Sequence, residues 1–154
     1  MTAAVVASSL AVAALNALSG LLGGWLWYRV ELTERSARAF WGLLRVGQGS
    51  ALTLALAVGS LAAAGNYSSE RLFYLYALLP LAVGFIAEQL RVTAAQTILD
   101  QRGLRDAAAV GSLPEGDQRV LIGEVMRREI GVMASSALVV VFLALRAAGT
   151  AHGF

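Results

Sequence analysis

At 154 residues the chain is long enough for one domain. With no cysteine, no lysine and a single histidine (His152), it cannot by itself supply a thiolate site, a P-loop lysine, a Schiff base, a histidine metal cluster or a Ser–His triad. Hydrophobic residues make up 58% and charged residues 14%, net charge +2, against roughly 45–50% and a quarter in a soluble domain, and so small a fold cannot hide that much apolar surface from water. The class that follows is an all-α membrane protein with four transmembrane helices in an antiparallel bundle, 1–154 forming a single transmembrane domain with no cofactor or metal expected.

The first span covers about residues 4–27 and carries Asn16 near its middle, with Ser19, Gly20, Gly23 and Gly24 beyond it. Its opening run, MTAAVVASSLAVAALNALSG, lacks the positively charged segment of a signal peptide, so this helix is read as retained. The second span, about 39–64, holds Arg45, the GQGS stretch with Gln48 and Ser50, then Thr53 and Gly59. Small residues let membrane helices approach closely, and Asn16 needs a partner in hydrocarbon; Ser50, Thr53, Ser135 and Ser136 are its candidates, as packing contacts or as a polar track lining a pore.

Ser68 or Ser69 can cap the third helix, with Glu70 in its first turn. The apolar run of this span goes from Leu72 to Ala87, and the span with its polar end is taken as 72–91. Pro80 removes one backbone hydrogen bond and, with Gly84 a turn later, predicts a kink. The helix continues through IAEQLRVTAAQ and ends at Gly103. After a short helix or loop, Ser112-Leu113-Pro114-Glu115 has the spacing of a capping box and predicts a helix beginning near Leu113. Its apolar part, Ile130 to Leu145, sits in a fourth span at 126–147. The third and fourth helices therefore project together as a hairpin through the connection 92–125.

All twelve basic residues are arginine, and their bias sets the orientation. Arg29, Arg35, Arg38, Arg45, Arg91, Arg102, Arg105, Arg119, Arg127 and Arg128 lie on one side, and Arg71 and Arg146 on the other. Both basic connections are expected in the cytoplasm and both chain ends outside, in a multi-pass plasma (inner) membrane protein. Trp25, Trp27, Tyr28, Phe40 and Trp41 mark the inner boundary, and Tyr67, Phe73, Tyr74 and Tyr76 the outer one.

The candidate site is the charged set where the third and fourth spans turn polar. Glu88 and Arg91 are three apart and Glu124 and Arg128 four apart, spacings that share a helix face. Aligning Ala87 with Ile130 puts Glu88 opposite Glu129, brings Arg127 and Arg128 within reach of Glu88, and Arg91 within reach of Glu124. Arg45 and Gln48 join from the second helix. This set reads as an ion-pair belt fixing helix register, or as a pocket for an anionic headgroup or phosphate-bearing ligand.

Three function classes follow. The first is a non-enzymatic membrane module, an accessory or assembly subunit of a larger membrane complex or a small homo-oligomer. The second is a small transporter or channel subunit lined by Asn16, Gln48 and Glu88. The third is a protein binding anionic lipid of the bilayer through the inner arginines. Nucleic acid is not expected as a partner, because most arginines are explained by topology and form no basic stripe.

Overall fold

The computed structural model describes residues 2–29, 32–104 and 107–152, so Arg105 of the basic connection lies outside the described residues. Among the described residues the chain is all-helical, with no strand. Its helices are α1 (Thr2–Tyr28), α2 (Glu34–Ala63), α3 (Arg71–Gln101), a single turn α4 (Ala107–Gly111) and α5 (Glu115–Thr150). The four long helices are each long and apolar enough to cross a membrane, matching the four expected spans. Both α3 and α5 run well beyond their apolar parts at the arginine-rich end.

The helix ends follow from local chemistry. Thr33 caps α2, its side chain accepting from the Ser36 amide at 3.3 Å. The C-termini of α2 and α3 share one device, a glycine in the left-handed region: Gly65 at φ 84° and Gly103 at φ 69°. In each, the following amide reaches back five residues, Asn66 to the Leu61 carbonyl and Leu104 to the Leu99 carbonyl, both at 2.9 Å. Gly103 thus ends α3 as the sequence implied. The expected capping box at Ser112 does not form. Its hydroxyl bonds the Ala109 carbonyl, α5 starts at Glu115, and Gln118 instead donates to the carbonyls of Gly111 and Leu113. Ser112 is captured by the preceding turn of α4, so it cannot also face the new helix.

Helix α5 is the centre of the packing. It lies along α1 on one side and α3 on the other; α2 packs on α1 and touches α3 far less. The α1–α5 contact is close because α1 presents glycine there. A Cβ built at Gly23 would lie 2.5 Å from Phe40 Cε2 and 2.7 Å from the Ala134 Cβ, and one at Gly20 2.6 Å from Leu138 Cδ2. One buried cluster gathers Val12, Leu54, Phe73, Ala77 and Val140; a second gathers Leu26, Phe40, Ile130 and Met133. Phe40 and Phe73, expected at the membrane boundaries, are fully buried in these clusters, each with an edge-on aromatic neighbour (Trp41 and Tyr74) nearer the surface.

The outside of the molecule is as apolar as its inside. Leu21, Leu56, Phe85 and Phe142, one from each long helix, are 67, 63, 68 and 72% exposed. So broad an apolar exterior is foreign to a water-soluble monomer. At one end of the molecule the start of α3 meets the chain after α5: the His152 carbonyl accepts from the Ser69 amide at 3.0 Å and from the Ser68 hydroxyl at 2.9 Å. These serines, read as caps, hold that distant segment, while Ser68 also accepts from the Glu70 amide at 3.2 Å.

Candidate functional site

Three helices contribute to one charged network. From α3, Glu88 stands at the point where the apolar face of the helix gives way to polar residues. Arg45 of α2 donates to Glu88 Oε1 at 2.5 Å and to Gln48 Oε1 at 2.6 Å, and Gln48 Nε2 reaches the same Glu88 oxygen at 3.3 Å. Arg91, one turn along α3, donates through Nε to Glu88 Oε2 at 3.1 Å. It extends through Nη1 to Glu129 of α5 at 3.8 Å, and its guanidinium lies 5.2 Å from the centroid of the Trp41 ring on α2. Glu88, Arg91 and Glu129 keep only 25, 27 and 22% of their side-chain surface exposed. Two arginines face two glutamates, so the belt is internally neutral, and it bridges α2 and α3 where their packing is thinnest.

The pairing differs from the simple alignment of apolar ends. Arg91, one helical turn from Glu88, faces Glu129. Ala87 and Ile130 do share a buried cluster with Met133, Ala134 and Ala137, so the apolar ends meet as expected and the differences lie in which charges pair. Glu88 and Glu129 still stand near each other across the interface, and Arg91 bridges the two carboxylates. Arg127 and Arg128 do not reach Glu88. Glu124 pairs with Arg102 at 2.6 Å in place of Arg91. Of the sequence candidates, Arg45, Gln48, Glu88 and Arg91 come together; Glu124, Arg127 and Arg128 gather around a separate cavity nearer the arginine-rich end.

Below the belt lies a cavity of about 300 Å³ between the helices, lined among others by Asn16, Gln48, Pro80, Gly84, Glu88 and Ser136. Asn16 is 2% exposed and donates to the Val12 carbonyl at 2.9 Å and, at 3.4 Å, to the Gly47 carbonyl across the α1–α2 interface. Its partner on α2 is backbone, reached because Gly47 has no side chain. The four hydroxyl candidates satisfy themselves within their own helices: Ser50 on Gly47, Thr53 on Gly49, Ser135 on Gly131 and Ser136 on Met133. Such back-bonding satisfies a hydroxyl locally in place of an interhelical partner. Pro80 is buried within an uninterrupted α3. No protein-family model, curated protein or solved structure matches the chain, so this geometry stands on its own.

Sequence reasoning assigned Trp41 and Trp27 only to the membrane boundary, and left Arg102 and Arg119 out of the site. Trp41 covers Arg91, and Glu129 completes the belt. Trp27 packs its indole against α5, 3.3 Å from where a Cβ on Gly131 would stand. Glu129 was placed opposite Glu88 by the sequence alignment of the two helices; the roles of the tryptophans depend on contacts over large sequence separations and leave no local trace.

Proposed function

We propose that the chain is a multi-pass plasma-membrane protein acting as a non-enzymatic membrane module, an accessory subunit or small homo-oligomer. Its long helices form an antiparallel bundle with both ends outside, the arginine-rich connections in the cytoplasm, and α3 and α5 extended there as a hairpin. The observation that carries this reading is the use made of Glu88. Its two oxygens are held by Arg45, Gln48 and Arg91, donors from two helices, with Glu129 tied in through Arg91. A carboxylate whose two oxygens are engaged by two guanidinium groups and an amide from two helices serves as a clasp between them.

Two measurements test the reading. The chain has no cysteine, so single cysteines at Ser69 and Ser112 can be labelled cleanly. A membrane-impermeant maleimide should modify S69C in intact cells and S112C only after permeabilisation; the opposite pattern refutes the orientation. After extraction in mild detergent, native mass analysis should find the protein in an assembly larger than the single chain. A strictly monomeric particle with nothing co-purifying rules the module reading out.

A further inference from the structure

We infer that the α3–α5 face carries a binding site for an anionic phospholipid of the inner leaflet, with its headgroup at Arg128 and one acyl chain along the groove below; this rests on the membrane reading above. Two cavities meet there. The larger, about 920 Å³, lies between α3, α5 and the α1–α2 connection, and its charged lining is Arg119, Glu124, Arg127 and Arg128. The second, about 570 Å³, is a groove between α3 and α5 lined chiefly by apolar side chains such as Ile86, Leu90, Val132 and Val139. Trp27 and Arg128 line both. A chamber with charged groups in its lining and an apolar trough therefore share one indole and one guanidinium.

Charge selects the headgroup. Among the described lining residues the charged side chains are Arg119, Arg127, Arg128 and Glu124, and Glu124 is already matched by Arg102 at 2.6 Å. Arg119 has only an exposed contact with Glu115 at 3.6 Å, the kind of pair that contributes little. Arg128 has no hydrogen bond or ion pair among the described residues, although it stands only two residues before Ile130, where the buried apolar part of α5 begins. The guanidinium is exposed beside the apolar part of α5, and its planar fork suits the paired oxygens of a phosphate. Shape selects the tail. From Gly131 to Val139 the groove follows eight residues of helix, about 12 Å at roughly 1.5 Å each, which fits within one leaflet of a hydrocarbon core about 30 Å thick. Ile86, Leu90 and Val139, each about half exposed, supply its apolar walls.

This site is distinct from the belt, whose arginines are committed to Glu88 and Glu129. The anion-binding role that the sequence spread over Arg45, Arg91, Arg127 and Arg128 is thereby centred on Arg128, with Arg119 and Arg127 lining the same cavity.

The test is lipid retention after reconstitution into nanodiscs of equal phosphatidylcholine and phosphatidylglycerol, followed by native mass spectrometry in mild detergent. The protein should keep phosphatidylglycerol in preference to phosphatidylcholine. R128Q should lower that retention about tenfold, the loss of one charge-assisted contact near the membrane surface. R128K should fall between the two, and V132W, which fills the groove, should release the lipid with the arginines intact. R38Q, an exposed arginine outside both cavities, should match the parent. Equal retention of both lipids, or full retention by R128Q, overturns the inference. Displacement by millimolar inorganic phosphate alone would show a free-anion site and overturn the lipid assignment. A protein that stays out of the nanodiscs brings down the membrane reading, and this inference with it.

Discussion

Replacing Gly23 with alanine, beside the same change at Gly24, separates helix packing from helix propensity at adjacent positions. A Cβ at Gly23 would stand 2.5 Å from Phe40 Cε2 and 2.7 Å from the Ala134 Cβ. Favourable carbon contacts begin at about 3.5 Å, so each neighbour would have to retreat by close to 1 Å. Neither has room: Phe40 is 0% exposed within its cluster, and Ala134, 3% exposed, belongs to the α5 backbone line against α1. Overpacking of this kind costs about 1–3 kcal/mol, offset by up to about 1 kcal/mol from alanine's better helix propensity. G23A should therefore lose about 1–2 kcal/mol. At Gly24 a Cβ meets nothing within 4 Å, and G24A should be neutral or slightly stabilising. Thermal unfolding of both variants in the same detergent, followed by circular dichroism, reads the difference directly. Equal midpoints, or a G24A weaker than G23A, would refute the claim that Gly23 sets the approach of α1 to α5 and α2.

The clasp predicts coupling: E88Q and R45Q should each destabilise the protein, and a double-mutant cycle should return about 1 kcal/mol of interaction, with zero coupling contradicting their pairing. Asn16→Ala should cost about 1 kcal/mol, since the interhelical bond to Gly47 is long and such bonds average about 0.6 kcal/mol; a loss several times larger in the same melts would show that Asn16 supports more than this contact. Gly103→Ala places a side chain at φ 69°, a penalty of about 1–2 kcal/mol confined to the end of α3. Hydrogen exchange at the Leu104 amide should quicken while exchange in the middle of α3 stays unchanged, and an unaltered Leu104 rate would count against the glycine turn.

Composition and run length alone determined the class of object. Four stretches too apolar for a small soluble fold, separated by glycine, serine and arginine, became four long helices, and Gly103 ended α3 where its backbone freedom was needed. These outcomes are local: hydropathy, glycine conformation and capping act within a few residues. The charged set was legible as a set, because Arg45, Gln48, Glu88 and Arg91 stand where helices emerge from apolar runs. Its wiring was not. Arg91 meets Glu129 while Glu124 goes to Arg102, and that choice of partners depends on side-chain directions in the packed bundle, beyond what residue spacing specifies. Asn16 found a backbone carbonyl in place of a hydroxyl because serine and threonine in a helix satisfy themselves on the turn below. The junction of two cavities at Trp27 and Arg128 was decided by tertiary structure alone. It joins α1, α3 and α5 across some hundred residues of chain, and only the packed bundle brings an indole, an arginine with no ion-pair partner among the described residues and an apolar groove together.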